Sequence, residues 1–417
     1  MPLDVFVAGV PVGVLSDELV DTGFLDFDYL PGVEEGLSVS LTMPPDAEPA
    51  EYHGFIGLPP PFEVSLPEGA LLEAIRQRLG KHIQVDDDLA LCKLIGRRTI
   101  GRVSFGGTPL SESGFDEKIL DAAKSRNAAN RLAEILRTEP HMFGVSGVMP
   151  KMTTQLHERG TLVAAANIIK FDSPDFVGAS VVEYACLKAC DRAGIRVPRF
   201  HLTADDAALV IERFDIGADG ERLGFEDACA LSGLRRGGKY SGSVEHLFRM
   251  IENFVDPIDQ FEDKTALLKQ MIMSDVLRNG DAHMKNFALI YGRDVLHPRL
   301  SPAYDVLTTQ VWFPQDTPAL PLRKDVRESG EWFDDEGIRA LCRIAGLGEF
   351  DGIAFRERCR DGAMMAFDQV LADALPGPTR DALSRAREII DRASVRNAAR
   401  HRTRVRRARG DSSGDSP

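Results

Sequence analysis

An α+β chain in three consecutive parts is predicted: a small mixed module, then a strand-rich lobe, then a helix-rich lobe. Three observations carry that reading. Strand-length apolar runs crowd into the first half of the chain, and past residue 225 the apolar spacing turns mostly to the period of helices. The 417 residues are enough for two or three domains, each with its own core. At 43% hydrophobic and 27% charged residues, the composition is that of an ordinary water-soluble globular protein.

The elements follow in order. Residues 3–8 run into Gly9-Val-Pro-Val-Gly13, a pattern of strand, tight turn and second strand. Residues 24–30 alternate, with Leu25, Phe27 and Tyr29 on one face and Asp26 and Asp28 on the other. Residues 43–62, rich in Pro and Gly, read as a loop, and Ala70–Leu79 as a helix, which completes a module over 1–120. A second unit, 121–215, holds a helix at 124–137, a glycine-bearing turn over Phe143–Met152 and an apolar run, Leu162–Phe171. There follow a helix over 180–193, with Val181, Val182, Tyr184, Ala185 and Ala189 on its apolar face and Gly194 as its stop, and strands around Arg196–Leu202 and Ala208–Phe214. The third unit, 216–395, carries helical patterns at 243–254, 264–278, 336–345 and 353–373, and 396–417 reads as a basic, disordered tail. A strand-rich lobe followed by a helix-rich lobe is the bilobal order of a protein kinase.

Charge narrows the function classes. The net charge is −14, but residues 1–100 hold 17 acidic against 6 basic side chains, while 392–409 hold eight arginines and no acid. So acidic a chain is not a general nucleic-acid binder. In the tail, Arg392, Arg396, Arg400 and Arg404 recur at helical spacing, and two readings stand: a solvated extension, or contact with phosphates in a larger DNA-bound complex. No run approaches 18 consecutive apolar residues, so no membrane span is expected, and the start, Met-Pro-Leu-Asp-Val-Phe, has no secretory-signal pattern. The six scattered cysteines include no CxxC pair and fit a reducing, cytoplasmic setting.

The chemistry is concentrated in Asn279-Gly-Asp-Ala-His-Met-Lys-Asn286 and in Asp305, 24 positions after Asp281. An Asp, an Asn five residues on and a later Asp have the spacing by which kinases hold a base and two metal ligands. Asp281 would accept the proton of an attacking hydroxyl, and Asn286 and Asp305 would hold Mg²⁺ against nucleotide phosphates. Lys170 closes an apolar strand and Glu183 follows 13 residues later on a helix, the pairing that fixes a lysine against the α- and β-phosphates. Lys285 reads either as a loop side chain or as a charge neutralising the γ-phosphate, and His283 either as a loop side chain or as part of the ATP site. Asp275, on the preceding helix, reads as a helix-surface or loop-anchoring acid.

At these residues the sequence resembles the HipA-type serine/threonine kinases, the toxins of bacterial toxin–antitoxin pairs. The matching segments are Ser146–Lys151, Asn167–Phe171, Val210–Asp215, Asn279–Phe287 and Tyr304–Leu307, with Phe225–Asp227 and Lys239-Tyr240 also similar. Val5–Gly13 and Ile100–Val103 resemble the small domain that precedes the kinase core there, so the likeness spans about residues 3–375. The resemblance implies ATP and Mg²⁺ as ligands, with Asp281 as base and Asn286 and Asp305 on the metal. It implies Lys170 on phosphate and the backbone of Glu212, Arg213 and Phe214 at adenine. The turn of Gly144, Val145, Ser146, Gly147 and Val148, with Lys151 beside it, would lie over the phosphates, and Ser146 would be autophosphorylated. The family's usual modified serine falls two positions earlier, where this chain has Gly144. Also implied are a small DNA-binding antitoxin of the HipB type, a protein substrate such as an aminoacyl-tRNA synthetase or another translation component, and contact with DNA only through the antitoxin. A eukaryotic-type kinase is argued against: there is no GxGxxG loop or Asp-Phe-Gly, and Gly280 stands where an Arg precedes the catalytic Asp. The competing reading is a kinase-fold binding module of a repressor complex with weak catalysis. A small-molecule kinase is a third.

Overall fold

Five short strands open the chain and close a small core of their own. The computed structural model describes residues 2–17, 24–48, 52–66, 88–96, 99–107, 118, 121–122, 131, 160–163, 166–172, 174–206, 208–293, 295–322, 331–373 and 375–408. Strands β1 (Leu3–Val7), β2 (Val10–Ser16), β3 (Phe24–Tyr29), β4 (Phe55–Ile56) and β5 (Val103–Phe105) form an antiparallel sheet of order β4-β3-β2-β1-β5. The chain reverses at Ala8-Gly9 between β1 and β2, the strand, tight turn and second strand read from the sequence. Alternation does what the pattern requires: Leu25 and Phe27 are buried, and the half-buried Tyr29 passes its hydroxyl to the Met43 carbonyl at 2.5 Å. The Pro/Gly-rich stretch 43–62 contains β4 and leads into a short helix, α1 (Pro60–Glu63). With α2 (Asp88–Ile95) it covers the sheet's apolar face around Phe27, Phe62, Leu91 and Phe105. The helix expected at Ala70–Leu79 lies outside the described residues, as does the one expected at 124–137 except for Arg131, which is helical.

The second sheet joins β6 (Gly160–Val163), β7 (Asn167–Phe171), β8 (Phe200–Leu202) and β9 (Ala208–Glu212) in the antiparallel order β6-β7-β9-β8. The run read as one apolar strand, Leu162–Phe171, is thus two, β6 and β7. Helix α3 (Ala179–Arg192) packs against β9 with Val181, Val182, Ala185 and Ala189 fully buried, and Gly194, in the left-handed region, ends it.

Below lie α4 (Ala228–Leu231), α5 (Val244–Phe254), α6 (Gln260–Val276), α7 (Asp335–Ile344), α8 (Gly352–Leu371) and α9 (Gly377–Ala408). Three short antiparallel strands are set among them: β10 (Gly224–Asp227), β11 (Ala288–Tyr291) and β12 (Arg299–Leu300). One continuous apolar core joins α3 of the strand-rich lobe to α5–α9, with α8 lying along α3. The segment 396–408, expected as disordered tail, continues α9, which has no interior Gly beyond 377 and no Pro beyond 378. The domain boundary read at 395 therefore falls inside a helix. The α+β, bilobal kinase-like fold expected from the sequence is the fold observed, with its small N-terminal module in front.

Candidate active site

Lys170 is set by its strand and by the turn after it. It pairs with Thr161 on one side and Leu209 on the other, near the end of β7. Two residues later, Asp172 accepts the Gly178 N–H at 2.5 Å and the Ser180 N–H at 2.8 Å, capping the start of α3, while the Ser180 hydroxyl donates to the Lys170 carbonyl at 3.1 Å. The cap fixes the helix against the strand, and one turn in, Glu183 meets the lysine: Nζ to Oε1 is 2.9 Å. The same ammonium lies 2.6 Å from Asp305 Oδ1, so a lysine of the upper lobe bridges a fully buried glutamate and an acid of the lower lobe.

The loop that carries Asp281 is built by local hydrogen bonds. Helix α6 ends at Val276, and Arg278, in the left-handed region at φ 56°, reverses the chain. The Gly280 N–H donates to Thr309 Oγ1 at 2.8 Å, and the Asp281 N–H to Asn279 Oδ1 at 3.2 Å. Asn286 donates from Nδ2 to the Asp281 carbonyl at 2.9 Å, which turns its amide oxygen, an acceptor, the other way. A Cβ at Gly280 would collide with the Asp316 carboxylate, so glycine there lets that side chain stand against the loop. Asp316 also bonds the Thr309 hydroxyl, and burial raises its carboxyl above the ordinary value despite that contact. Asp275 is buried on α6, accepting the Phe333 N–H at 2.7 Å and lying 3.5 Å from Arg278; it anchors the loop.

Asp281 is half-exposed, with Oδ1 accepting the Tyr240 hydroxyl at 2.7 Å. The buried His283 places Nε2 3.8 Å from the same oxygen and its ring edge-on to Tyr240, at 5.2 Å between centroids. Asp305, at φ 55°, follows the half-buried Tyr304, whose hydroxyl donates to the Lys285 carbonyl at 2.6 Å and ties the two acidic loops together. Asn286 and Asp305 offer an amide and a carboxylate oxygen, a hard donor pair of the kind that holds Mg²⁺ when phosphates and water complete the shell.

At the end of β9, the Glu212 N–H donates to the Arg199 carbonyl and the Arg213 N–H to the Ala166 carbonyl, at 2.8 and 2.9 Å. The Arg213 side chain turns into an ion pair with Asp215, while Phe214 packs on Phe225 and Tyr304 at 5.9 and 5.5 Å. Gly144, Val145, Ser146, Gly147, Val148 and Lys151 lie outside the described residues. Sequence reasoning gave no role to Asp172, Thr309 or Asp316. Each works through backbone contacts that no spacing announces, whereas Tyr240 was visible only as part of the familial Lys239-Tyr240.

Fold and site together define a protein of the kinase-like class: two lobes, a bridging lysine between them and an acid-bearing loop below. The HipA-like C-terminal domain model matches residues 143–375 and the HipA N-terminal domain model residues 3–106. The chain belongs to the HipA family. Among its relatives, the putative kinase Y4dM of Sinorhizobium fredii is 27% identical over 347 residues, 76% of this chain and 80% of that protein. The putative kinase Y4mE of the same organism is 26% identical over 377 residues, covering 83% and 86%. The HipA toxin of Shewanella oneidensis MR-1, solved with HipB and operator DNA, superposes with a TM-score of 0.68 at 17% identity, over 94% of this chain and 97% of that one. Among the described residues no helix is long and apolar enough to cross a membrane.

Proposed function

We propose that this chain is an ATP-dependent serine/threonine-protein kinase, a cytoplasmic growth-inhibiting toxin restrained by a HipB-like DNA-binding antitoxin. The observation that carries the reading is the Lys170 bridge, 2.9 Å to Glu183 and 2.6 Å to Asp305, because it sets a fixed cation beside the acid proposed for the metal. Asp281 takes the proton of the substrate hydroxyl on Oδ2, since Oδ1 is held by Tyr240. Asn286 and Asp305 hold Mg²⁺, which when bound neutralises phosphate charge. Lys170, kept in place by Glu183, contacts the α- and β-phosphates, and Lys285 supplies a second positive charge at the γ-phosphate. His283 supports Asp281 from below. With the N–H groups of Glu212 and Arg213 taken inside the protein, adenine is met by Phe214 and the carbonyls of that segment. Ser146, outside the described residues, is the proposed autophosphorylation site: a phosphate there would add about −1.5 to −2 charge and silence the enzyme by repelling the nucleotide.

The substrate class proposed is a translation component such as an aminoacyl-tRNA synthetase, and DNA is reached only through the antitoxin. Expression without a partner should arrest bacterial growth, and an Asp281→Ala, Asp305→Ala double variant should not. Equal arrest by both would favour a binding module. Phosphoproteomics in the same cells identifies the substrate. Intact-protein mass spectrometry after incubation with Mg²⁺–ATP should show an adduct of about +80 Da that Ser146→Ala removes, and an unchanged adduct in that variant rejects the site.

A further inference from the structure

The chemistry proposed above uses none of the first 107 residues, yet they reach both ends of the cleft. At the hinge, the Glu212–Phe214 segment proposed to meet adenine, Asp215 follows Phe214, is buried and accepts the Gly101 N–H at 2.7 Å. Arg213 pairs with Asp215 at 2.9 Å and donates to the Thr99 carbonyl at 3.0 Å. Burial pushes the Asp215 carboxyl up, but Arg213, the Gly101 N–H and Arg222 outweigh it and hold it below its ordinary value. Gly101, at φ 77°, lies so close to β10 that a Cβ would stand 3.3 Å from Phe225. The Phe225 ring in turn packs on Phe214 and, at 6.0 Å, on Tyr304, the neighbour of Asp305.

At the catalytic end, two carboxylates of the N-terminal module hold two consecutive arginines. Arg235 lies 2.7 Å from both Glu63 and Asp88, Arg236 lies 2.6 Å from Asp88, and the Arg236 N–H donates to Glu63 at 2.5 Å. Three and four residues further on, the Lys239 carbonyl accepts the Met284 N–H at 3.1 Å and Tyr240 donates to Asp281 at 2.7 Å. Between the two ends, the buried Arg102 donates to the Ser38 carbonyl at 2.7 Å and, across the interface, to the Arg293 carbonyl at 3.0 Å.

Buried charges are costly unless fully partnered, and a contact that merely tethered two domains would have no need of them. Their partners here are opposite charges joined by backbone groups, the Gly101 N–H on Asp215, the Arg236 N–H on Glu63 and main-chain carbonyls on Arg102, which fixes position to within a hydrogen bond. We propose that the N-terminal module is a working part of the catalytic centre: a brace that positions the hinge through Asp215 and Gly101, and positions Tyr240 on Asp281 through Glu63 and Asp88. The inference rests on the cleft being the nucleotide site, and Tyr240 is in it a positioning residue.

Hydrogen–deuterium exchange on the nucleotide-free full chain tests the brace without relying on activity. Asp215→Asn should raise exchange in 209–217 by about threefold or more and leave 279–287 unchanged. Asp88→Asn should raise it in 235–243 and 279–287 by a similar factor, about threefold, and leave the hinge unchanged. If Asp215→Asn fails to fold, Arg222→Gln removes a lesser partner of the same cluster and should change the same segment. In phosphotransfer assays the hinge variant should raise the KM for ATP at nearly constant kcat, and Asp88→Asn should lower kcat at nearly constant KM. Wild-type exchange at both segments in both variants, or a rise across the whole helical lobe together, overturns the proposal. Segment-specific exchange in a chain that transfers no phosphate would uphold the brace and reject the kinase reading instead.

Discussion

Replacing Lys170 by methionine isolates the ion pair on which the proposed site is built. The side chain of Glu183 is 0% exposed and that of Asp305 43% exposed, so the two carboxylates lose their shared cation under different conditions. Asp305 regains water, and losing such a pair costs about 1 kcal/mol at most. Glu183 cannot be reached by water, and breaking a buried pair by removing one partner costs about 3–5 kcal/mol. Lys170→Met should therefore destabilise the chain by about 3–4 kcal/mol, nearly all of it from Glu183. Adding Glu183→Gln should return more than half of that, a coupling of about 2 kcal/mol in the double-mutant cycle. Denaturant unfolding of the four proteins at neutral pH measures it, with unchanged m-values as the check that the folded state is the same. A Lys170→Met protein within about 1 kcal/mol of wild type, or a cycle that is simply additive, would refute the reasoning.

Gly280→Ala sets a Cβ against the Asp316 carboxylate, so the loop or the aspartate must move; a loss of about 1–3 kcal/mol and of transfer rate is expected, with Asp316→Ala restoring part of both. A Gly280→Ala protein that melts with wild type counts against that contact. Glu226 is raised by burial, despite hydrogen bonds from Ser40, Tyr291 and the Leu41 N–H. A carboxyl raised in the folded state favours folding most when protonated, and that contribution is lost as pH rises from its ordinary value of 4.5 through the folded one. Glu226→Gln should consequently gain stability over wild type at neutral pH, and the gain should vanish as pH falls below the ordinary value of 4.5. Unfolding curves across that range check it, and a gap independent of pH would contradict the sign.

The fold was legible where its periodicities are long. Helices α3, α5, α6, α7 and α8 lie within a few residues of their predicted spans, because each buries an apolar stripe that recurs at helical spacing. Five strands of two to four residues, β4, β5, β10, β11 and β12, were missed, since so short a run has no period to read and their pairing is decided by distant partners. In the site, a strand lysine and a helix glutamate could be read as partners because their elements are adjacent in sequence. Asp172, Thr309 and Asp316 could not, because each contacts main-chain atoms whose position only the folded chain defines. The docking of the N-terminal module was equally hidden: Ser40 and Glu226, 2.5 Å apart in space, are 186 residues apart along the chain.

Transfer of labelled γ-phosphate from Mg²⁺–ATP by the purified protein tests the central claim most directly, comparing wild type with Asp281→Ala and Asp305→Ala. Wild type should label itself or a lysate protein. Asp281→Ala should lose transfer by about 10²-fold or more while still binding nucleotide, because only the proton acceptor is gone. Asp305→Ala should lose nucleotide binding as well. Labelling by Asp281→Ala at the wild-type rate would contradict the assignment of the base, and with it the account of the site.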